Sequence, residues 1–388
     1  MKEGWKVRQI EDVTFIQEGP GIRKYEYEED GFPMINVRCV QDGYIDMSSA
    51  RAANTELATG KWKHFQVDAG DILFTISGTI GRCAVVQESD LPLLMNTSVV
   101  RFRPTVPELD SRFLYLFLQS DGFQAPLREL SSGTAIRNVG PTHIKTLSIP
   151  LPPLEEQQRI VAILDEAFEG LARARAHAET NLRNARELFL SHLSQAMSSA
   201  TINWVCGTLE EVSQIFAGGD VDKSRTSKSR TDQYNVPVYT NGEKEDGLYG
   251  YTDAARVTEP SITVSARGTI GFTAIRDHPF YPAIRLIVVT PNRNIIDLEF
   301  LAFYIRSQTI AQSGASIPQL TVPMIKTLKV AQPPLAEQRS IAASLKRIEA
   351  VTLILKEEYD RKLADLADLR QSLLQKAFAG ELTAKEFA

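Results

Sequence analysis

Cysteine is scarce in this chain of 388 residues, with only Cys39, Cys83 and Cys206. Three widely separated thiols form neither a disulfide framework nor a paired-cysteine metal knuckle, so buried free thiols are expected. Long apolar runs are missing too. Phe113-Leu114-Tyr115-Leu116-Phe117-Leu118 falls far short of the roughly 20 residues a bilayer-spanning helix requires. Met1-Lys2-Glu3-Gly4-Trp5 has no apolar stretch behind its charge, so no signal peptide is expected. These absences together predict a soluble, cytoplasmic protein with no membrane partner.

A basic surplus is also lacking. Net charge is −5, residues 1–150 hold 16 Lys+Arg against 19 Asp+Glu, and residues 200–331 hold 13 against 13. Phosphate neutralisation supplies most of a lone DNA binder's affinity, so composition by itself argues mildly against nucleic acid as a partner.

Catalytic signatures are absent. No Gly-Lys-Ser/Thr phosphate loop occurs. The Pro-Pro pairs, Leu151-Pro152-Pro153-Leu154 and Gln332-Pro333-Pro334-Leu335, lack the polar and aromatic neighbours that hold a flipped base amino group in a methyltransferase. No Glu-x-Lys is present, and Asp360-Arg361-Lys362 lies within a helical pattern, where a solvated face accounts for it. Histidines 64, 143, 177, 192 and 278 show no ligand spacing. No catalytic, cofactor or metal site is expected.

What the chain does contain is itself, twice. Trp5 and Ile10-Glu11-Asp12-Val13 return as Trp204 and Leu209-Glu210-Glu211-Val212. Gly78-Thr79-Ile80-Gly81 returns as Gly268-Thr269-Ile270-Gly271, and Ile144-Lys145-Thr146-Leu147 as Ile325-Lys326-Thr327-Leu328. Pro152-Pro153-Leu154-Glu155-Glu156-Gln157 returns as Pro333-Pro334-Leu335-Ala336-Glu337-Gln338. Four matches in one order mean a tandem duplication.

Each repeat has two textures. Residues 1–150 and 200–331 mix short apolar runs, such as 71–76 and 285–289, with Gly, Pro and Asn turns, which reads as strand. Helical patterns at 111–121 and 298–308 make these mixed α+β (α/β) domains. Residues 151–199 and 332–388 read as long helices, with Gly380 as the stop of the second. Their apolar stripes run through Leu164, Phe168, Leu171, Ala178, Leu182, Ala185, Phe189 and Ala196, and through Leu345, Ile348, Leu355, Tyr359, Leu366, Leu369 and Leu373. Neither helix can hide its stripe alone, so an antiparallel coiled coil is expected, with the two repeats related by a pseudo-two-fold. Arg175, His192, Lys362 and Lys376 fall on or near the seam, which leaves either a pair partly open to other proteins or a register off by one.

A duplicated domain, each copy followed by Pro-Pro-Leu-x-Glu-Gln and a long helix, resembles the specificity subunit of type I restriction-modification systems over the whole chain. Leu373-Leu374-Gln375-Lys376-Ala377-Phe378-Ala379-Gly380-Glu381-Leu382 and Phe216-Ala217-Gly218-Gly219 resemble the same family. Two departures stand out: Gly19-Pro20-Gly21 where the second repeat has Gly218-Gly219, and a first helix ending without the Gly-Glu-Leu closure. The resemblance implies target-recognition domains that each read half of a bipartite site in double-stranded DNA, with the helices fixing the unread gap. It also implies two modification (methyltransferase) subunits docked on the helices and motor-nuclease restriction subunits beyond them. S-adenosylmethionine, ATP and Mg would then belong to those partners.

DNA contact is expected first at Lys223, Arg225, Lys228 and Arg230, read as a flexible loop whose cations all reach phosphate, with arginine able to pair with guanine. Asn241 could pair with an adenine edge, and Arg267 precedes the second Gly-Thr-Ile-Gly turn. In the first repeat the candidates are Arg23 and Lys24; Lys61 and Lys63 flanking the stacking ring of Trp62; Arg38, equally suited to a structural ion pair; Arg82; and Arg137 with Asn138. Partners that clamp the duplex would relieve the chain of the missing positive charge. The competing readings are a coiled-coil scaffold that binds only proteins, and an enzyme with an unfamiliar site, which would need clustered titratable groups.

Overall fold

The duplication appears element by element in the computed structural model, which describes residues 4–130, 139–198, 204–312 and 319–383. In the first repeat a four-stranded antiparallel sheet has the order Thr14–Glu18, Val99–Pro104, Ile72–Thr75, Cys83–Val85. The second repeat builds the same sheet from Ser213–Ala217, Ile287–Pro291, Ser261–Val264 and Thr273–Arg276. Strand Ile72–Thr75 is buried on both faces. Its side chains alternate as the two-residue period requires. Ile72 and Phe74 join Phe102, Phe113 and Phe123, while Leu73 joins Ile35, Val67 and Ala84 on the other side.

Beside each of these lies a smaller sheet. Its order is Tyr27–Glu28, Arg51–Ala53, Phe32–Ile35, Leu94–Met95 in the first repeat, with the last pair parallel. Thr226–Ser227, Leu248–Thr252, Val236–Tyr239 and Tyr281–Pro282 repeat it, again with a parallel final pair. The mixed α+β class is as expected. The apolar run at 285–289 begins its strand only at Ile287, and Arg285 and Leu286 belong to the preceding turn.

Two helices of 45 residues each, Leu154–Ser198 and Leu335–Ala379, follow the Pro-Pro pairs. At 1.5 Å per residue each is about 68 Å long. Gly380, at φ +80°, ends the second helix: the Gly380 N–H donates to the Ala377 carbonyl and the Glu381 N–H to the Lys376 carbonyl. These are the paired bonds of a left-handed C-cap, which favours glycine.

The chain divides into two compact units whose limits fall inside both helices: residues 1–178 with 361–388, and residues 179–360. In the first unit the helix segments run antiparallel, since Arg370 stacks on Phe168 at 4.5 Å while Thr383 donates to Glu156 at 2.8 Å. Leu374, Ala377 and Phe378 complete this unit's core, with the Phe378 ring 5.1 Å from Phe113 and 5.2 Å from Phe117. Leu193 and Met197, at the equivalent turn of the first helix, enter the core of the second unit beside Phe300 and Leu345. Each repeat thus has its core finished by the helix end of the other.

The seam runs through Ala174 and Leu182 of the first helix and through Leu355, Tyr359, Leu366 and Arg370 of the second. Arg175, His192, Lys362 and Lys376 are all exposed and lie off the stripes, whose apolar positions are buried or half-buried as read, Leu369 apart. Leu369, placed in the stripe from sequence, is 48% exposed. A second correction concerns thiols: Cys39 and Cys83 are buried, but Cys206 is exposed, at the rim of the ribbon Val205–Thr208. No described helix is long and apolar enough to cross a membrane.

Candidate nucleic-acid interface

Glutamine decides how each domain meets its helix. Gln157, fully buried, donates to the Glu108 carbonyl at 2.7 Å and the Pro152 carbonyl at 2.9 Å, and accepts from the Asp110 N–H at 2.9 Å. Gln338 repeats this with Ile295 at 3.1 Å, Pro333 at 2.7 Å and the Asp297 N–H at 2.7 Å. Asp110 and Asp297 in turn cap the helices that follow, accepting from Phe113 N–H and Phe300 N–H. The Gln of Pro-Pro-Leu-x-Glu-Gln is therefore a bracket between long helix and domain, since buried backbone groups need partners.

At one edge of each domain several loops converge. In the first, the Gly19 N–H donates to Val99, the Asn96 N–H to Ile35, the Val37 N–H to Ser98 Oγ at 2.9 Å and the Ile76 N–H to the Ser98 carbonyl at 3.0 Å. In the second, the Gly218 N–H donates to Leu286, the Ala283 N–H to Tyr239 and the Gly242 N–H to Ser265 Oγ at 3.1 Å. A methyl at Gly19 would lie 2.2 Å from the Met95 carbonyl oxygen, and one at Gly218 2.5 Å from that of Pro282, so the close approach admits only glycine. The Gly-Thr-Ile-Gly tetrads are tight strand connections, with φ of +66° and +102° at Gly78 and Gly81 and +69° and +82° at Gly268 and Gly271.

At the far end of the same central strands the side chains differ. Asp71, fully buried, pairs with Arg103 at 2.6 Å and Arg101 at 3.4 Å in the first domain. At the matching place Ser261 and Thr290 share a hydroxyl hydrogen bond of 2.8 Å.

The type I restriction modification DNA specificity domain model matches residues 2–176 and again 201–363. The chain belongs to that family. A Mycoplasma pneumoniae protein assigned as type I specificity subunit S.MpnORF507P is 27% identical over 344 residues, 87% of each chain. The specificity subunit of the EcoKI enzyme of Escherichia coli K12 is 22% identical, covering 99% of this chain and 90% of its own. Among solved structures, a chain from a study of type I R-M system assembly and conformational transition matches with a TM-score of 0.77 at 21% identity, covering 98% and 99% of the two chains. The HsdS subunit of Thermoanaerobacter tengcongensis matches with 0.53 at 21%, covering 98% of each. These likenesses show the fold, and the family assigns sequence-specific DNA recognition to two tandem domains.

Within this specificity chain the expected contact residues fare unequally. Arg23 and Lys24 are exposed after the Gly19 turn, Arg23 donating to the Tyr25 hydroxyl at 2.9 Å. Arg38 is exposed beyond strand Phe32–Ile35 and has no ion-pair partner among the described residues. Arg82, half-buried, closes the first tetrad through its N–H to Thr75 Oγ1. Arg267 is exposed and donates to Gln319 at 2.9 Å. Arg137 and Asn138 lie outside the described residues.

Lys61 and Lys63 are exposed, but Trp62 between them is 3% exposed and packs on Met34, Ala53 and Leu94, so it offers no stacking face. Residues 223–230 are not a free loop. Lys223–Arg225 is a 3-10 turn, and Thr226–Ser227 pairs with Leu248–Thr252. Arg225 is held by Asp253 at 2.7 Å, and Lys228 sits 3.8 Å over the Tyr249 ring, leaving Lys223 and Arg230 the more open cations. Arg225 holds the Asp253 carboxyl below its usual range.

Asn241 is the clearest departure. Its Nδ2 donates to the Ile284 carbonyl at 2.6 Å and its Oδ1 accepts from the Ala266 N–H at 2.7 Å. Both ends of the amide are spent on backbone, so Asn241 is a brace rather than an adenine reader. Sequence reasoning missed the turn it braces, Ala283–Arg285, because a lone Ile-Arg pair carries no motif.

Burial pushes the Cys39 and Cys83 thiols up, away from nucleophilic use. No cluster of metal-binding side chains occurs among the described residues.

Proposed function

We propose that this chain is the sequence-reading subunit of a type I restriction-modification complex, each domain reading one half of a bipartite DNA target. One observation carries this: two loop clusters with the same hydrogen-bonded frame display different side chains, exposed Thr97 at the turn of one and exposed Ile284 and Arg285 at the matching turn of the other, as two readers of unlike half-sites require. Phosphate contacts position and base contacts specify, so a common frame with private tips suits the task.

The finer parts follow from the family. The paired helices fix the unread gap and dock two methyltransferase subunits, with motor-nuclease subunits joining for restriction. S-adenosylmethionine, ATP and Mg act in those partners, in the cytoplasm, and this chain performs no chemistry. Family membership disfavours a scaffold that binds proteins alone.

Co-expression with the methyltransferase subunits, followed by mapping of methylated genomic positions, tests the reading. A split motif with a constant gap is expected. A contiguous motif, or methylation indifferent to loss of this chain, would overturn it.

A further inference from the structure

The turn between Tyr281–Pro282 and Ile287–Pro291 is strained in a way that its counterpart is not. Ile284 and Arg285 both have positive φ, 51° and 58°. A β-branched residue in that region is a genuine outlier, and such strain persists only where surroundings over-determine it, most often at functional sites. Here four bonds do so. The Ile284 N–H donates to Gly219 at 3.0 Å, the Arg285 N–H to Gly218 at 3.1 Å and the Leu286 N–H to Ala283 at 3.1 Å, while Asn241 holds the Ile284 carbonyl.

The result is an outward display. Ile284 is 49% exposed, and Arg285 is exposed with no acidic partner among the described residues. Asn241 also ties this turn to Ala266, the neighbour of Arg267, so both arginines stand on one braced loop cluster.

The first domain makes the same turn from Asn96, Thr97 and Ser98, with the Val99 N–H donating to Asn96 as Leu286 does to Ala283. There the Asn96 side chain caps the Ser98 N–H at 3.0 Å, no positive φ is needed, and neither a cation nor a large apolar tip results. Fold maintenance is satisfied by the unstrained version. The strained one adds display.

We propose that Ile284 and Arg285 form the base-reading tip of the second domain, with Arg285 donating both guanidinium arms to a guanine edge in the major groove. Ile284 packs on the adjacent base, a thymine methyl being the apolar group such a side chain meets there. This rests on the DNA-reading function proposed above.

The test uses the assembled complex with its methyltransferase subunits. Binding is measured on duplexes carrying the mapped target and every single-base change in it. Arg285→Ala and Arg285→Lys are each expected to reduce discrimination about 5- to 150-fold, the range for one bidentate contact, at one G·C pair of one half-site only. Ile284→Gly removes the side chain where glycine is at ease. It should melt no lower than the parent yet bind the intact target at least about 5-fold more weakly. The assignment fails if Arg285→Ala leaves every position's discrimination unchanged, or weakens all duplexes equally. It fails also if Ile284→Gly binds as the parent does. A parent complex with no split target would instead sink the functional reading, and this tip with it.

Discussion

Gln338→Ala removes three hydrogen bonds from a side chain that solvent does not reach. The Asp297 N–H loses its acceptor, and the Ile295 and Pro333 carbonyls lose their donor. An unsatisfied buried group costs about 1–3 kcal/mol. Water entering the vacated space would recover part of that for the carbonyls, so a net loss of about 3 kcal/mol is expected, near a hundredfold in the unit's opening equilibrium. Hydrogen exchange read by mass spectrometry separates the two units. Amides in strands Ser261–Val264 and Ile287–Pro291 should exchange about a hundredfold faster, while those in Ile72–Thr75 and Val99–Pro104 keep their protection. Gln157→Ala should produce the mirror result. Acceleration under about threefold, or equal acceleration in both units, would refute the bracket.

Three further outcomes are expected. Phe378→Ala, near the end of the second helix, should destabilise the first unit by about 3–5 kcal/mol and leave the second intact, because the ring sits between Phe113 and Phe117; exchange protection localised elsewhere would contradict the crossed core. One heptad added at matched points of both helices lengthens each by about 10.5 Å, about three base pairs of DNA. The methylated motif should keep both halves and widen its gap by that amount, and an unchanged gap would rule out the helices as its determinant. The isolated chain, with net charge −5, should bind duplex DNA weakly and lose affinity steeply with added salt. Tight binding by anisotropy titration at physiological salt would show that partners are not needed for phosphate neutralisation.

Repetition was fully legible in sequence because it is a property of order: Gly-Thr-Ile-Gly and Pro-Pro-Leu-x-Glu-Gln recur whatever the fold. The long helices and the Gly380 stop were legible too, since periodicity and capping act through neighbours a few residues away. The apolar stripes were legible as well, and of the positions read into them Leu369 is the one the structure leaves exposed, because local spacing cannot see where the partner helix ends its contact.

Only tertiary structure decided the roles of particular side chains. Trp62 between two lysines has the look of a stacking platform, yet it fills the space over Met34 and Leu94. Asn241 in a Tyr-Thr-Asn-Gly run has the look of a reader, yet residues 25 and 43 positions away claim both ends of its amide. Burial and hydrogen bonding between distant segments are set by how the chain returns on itself. A residue's own neighbours in sequence hold no record of that return, which is why the frame of this protein was readable from its order of residues and its contact surface was not.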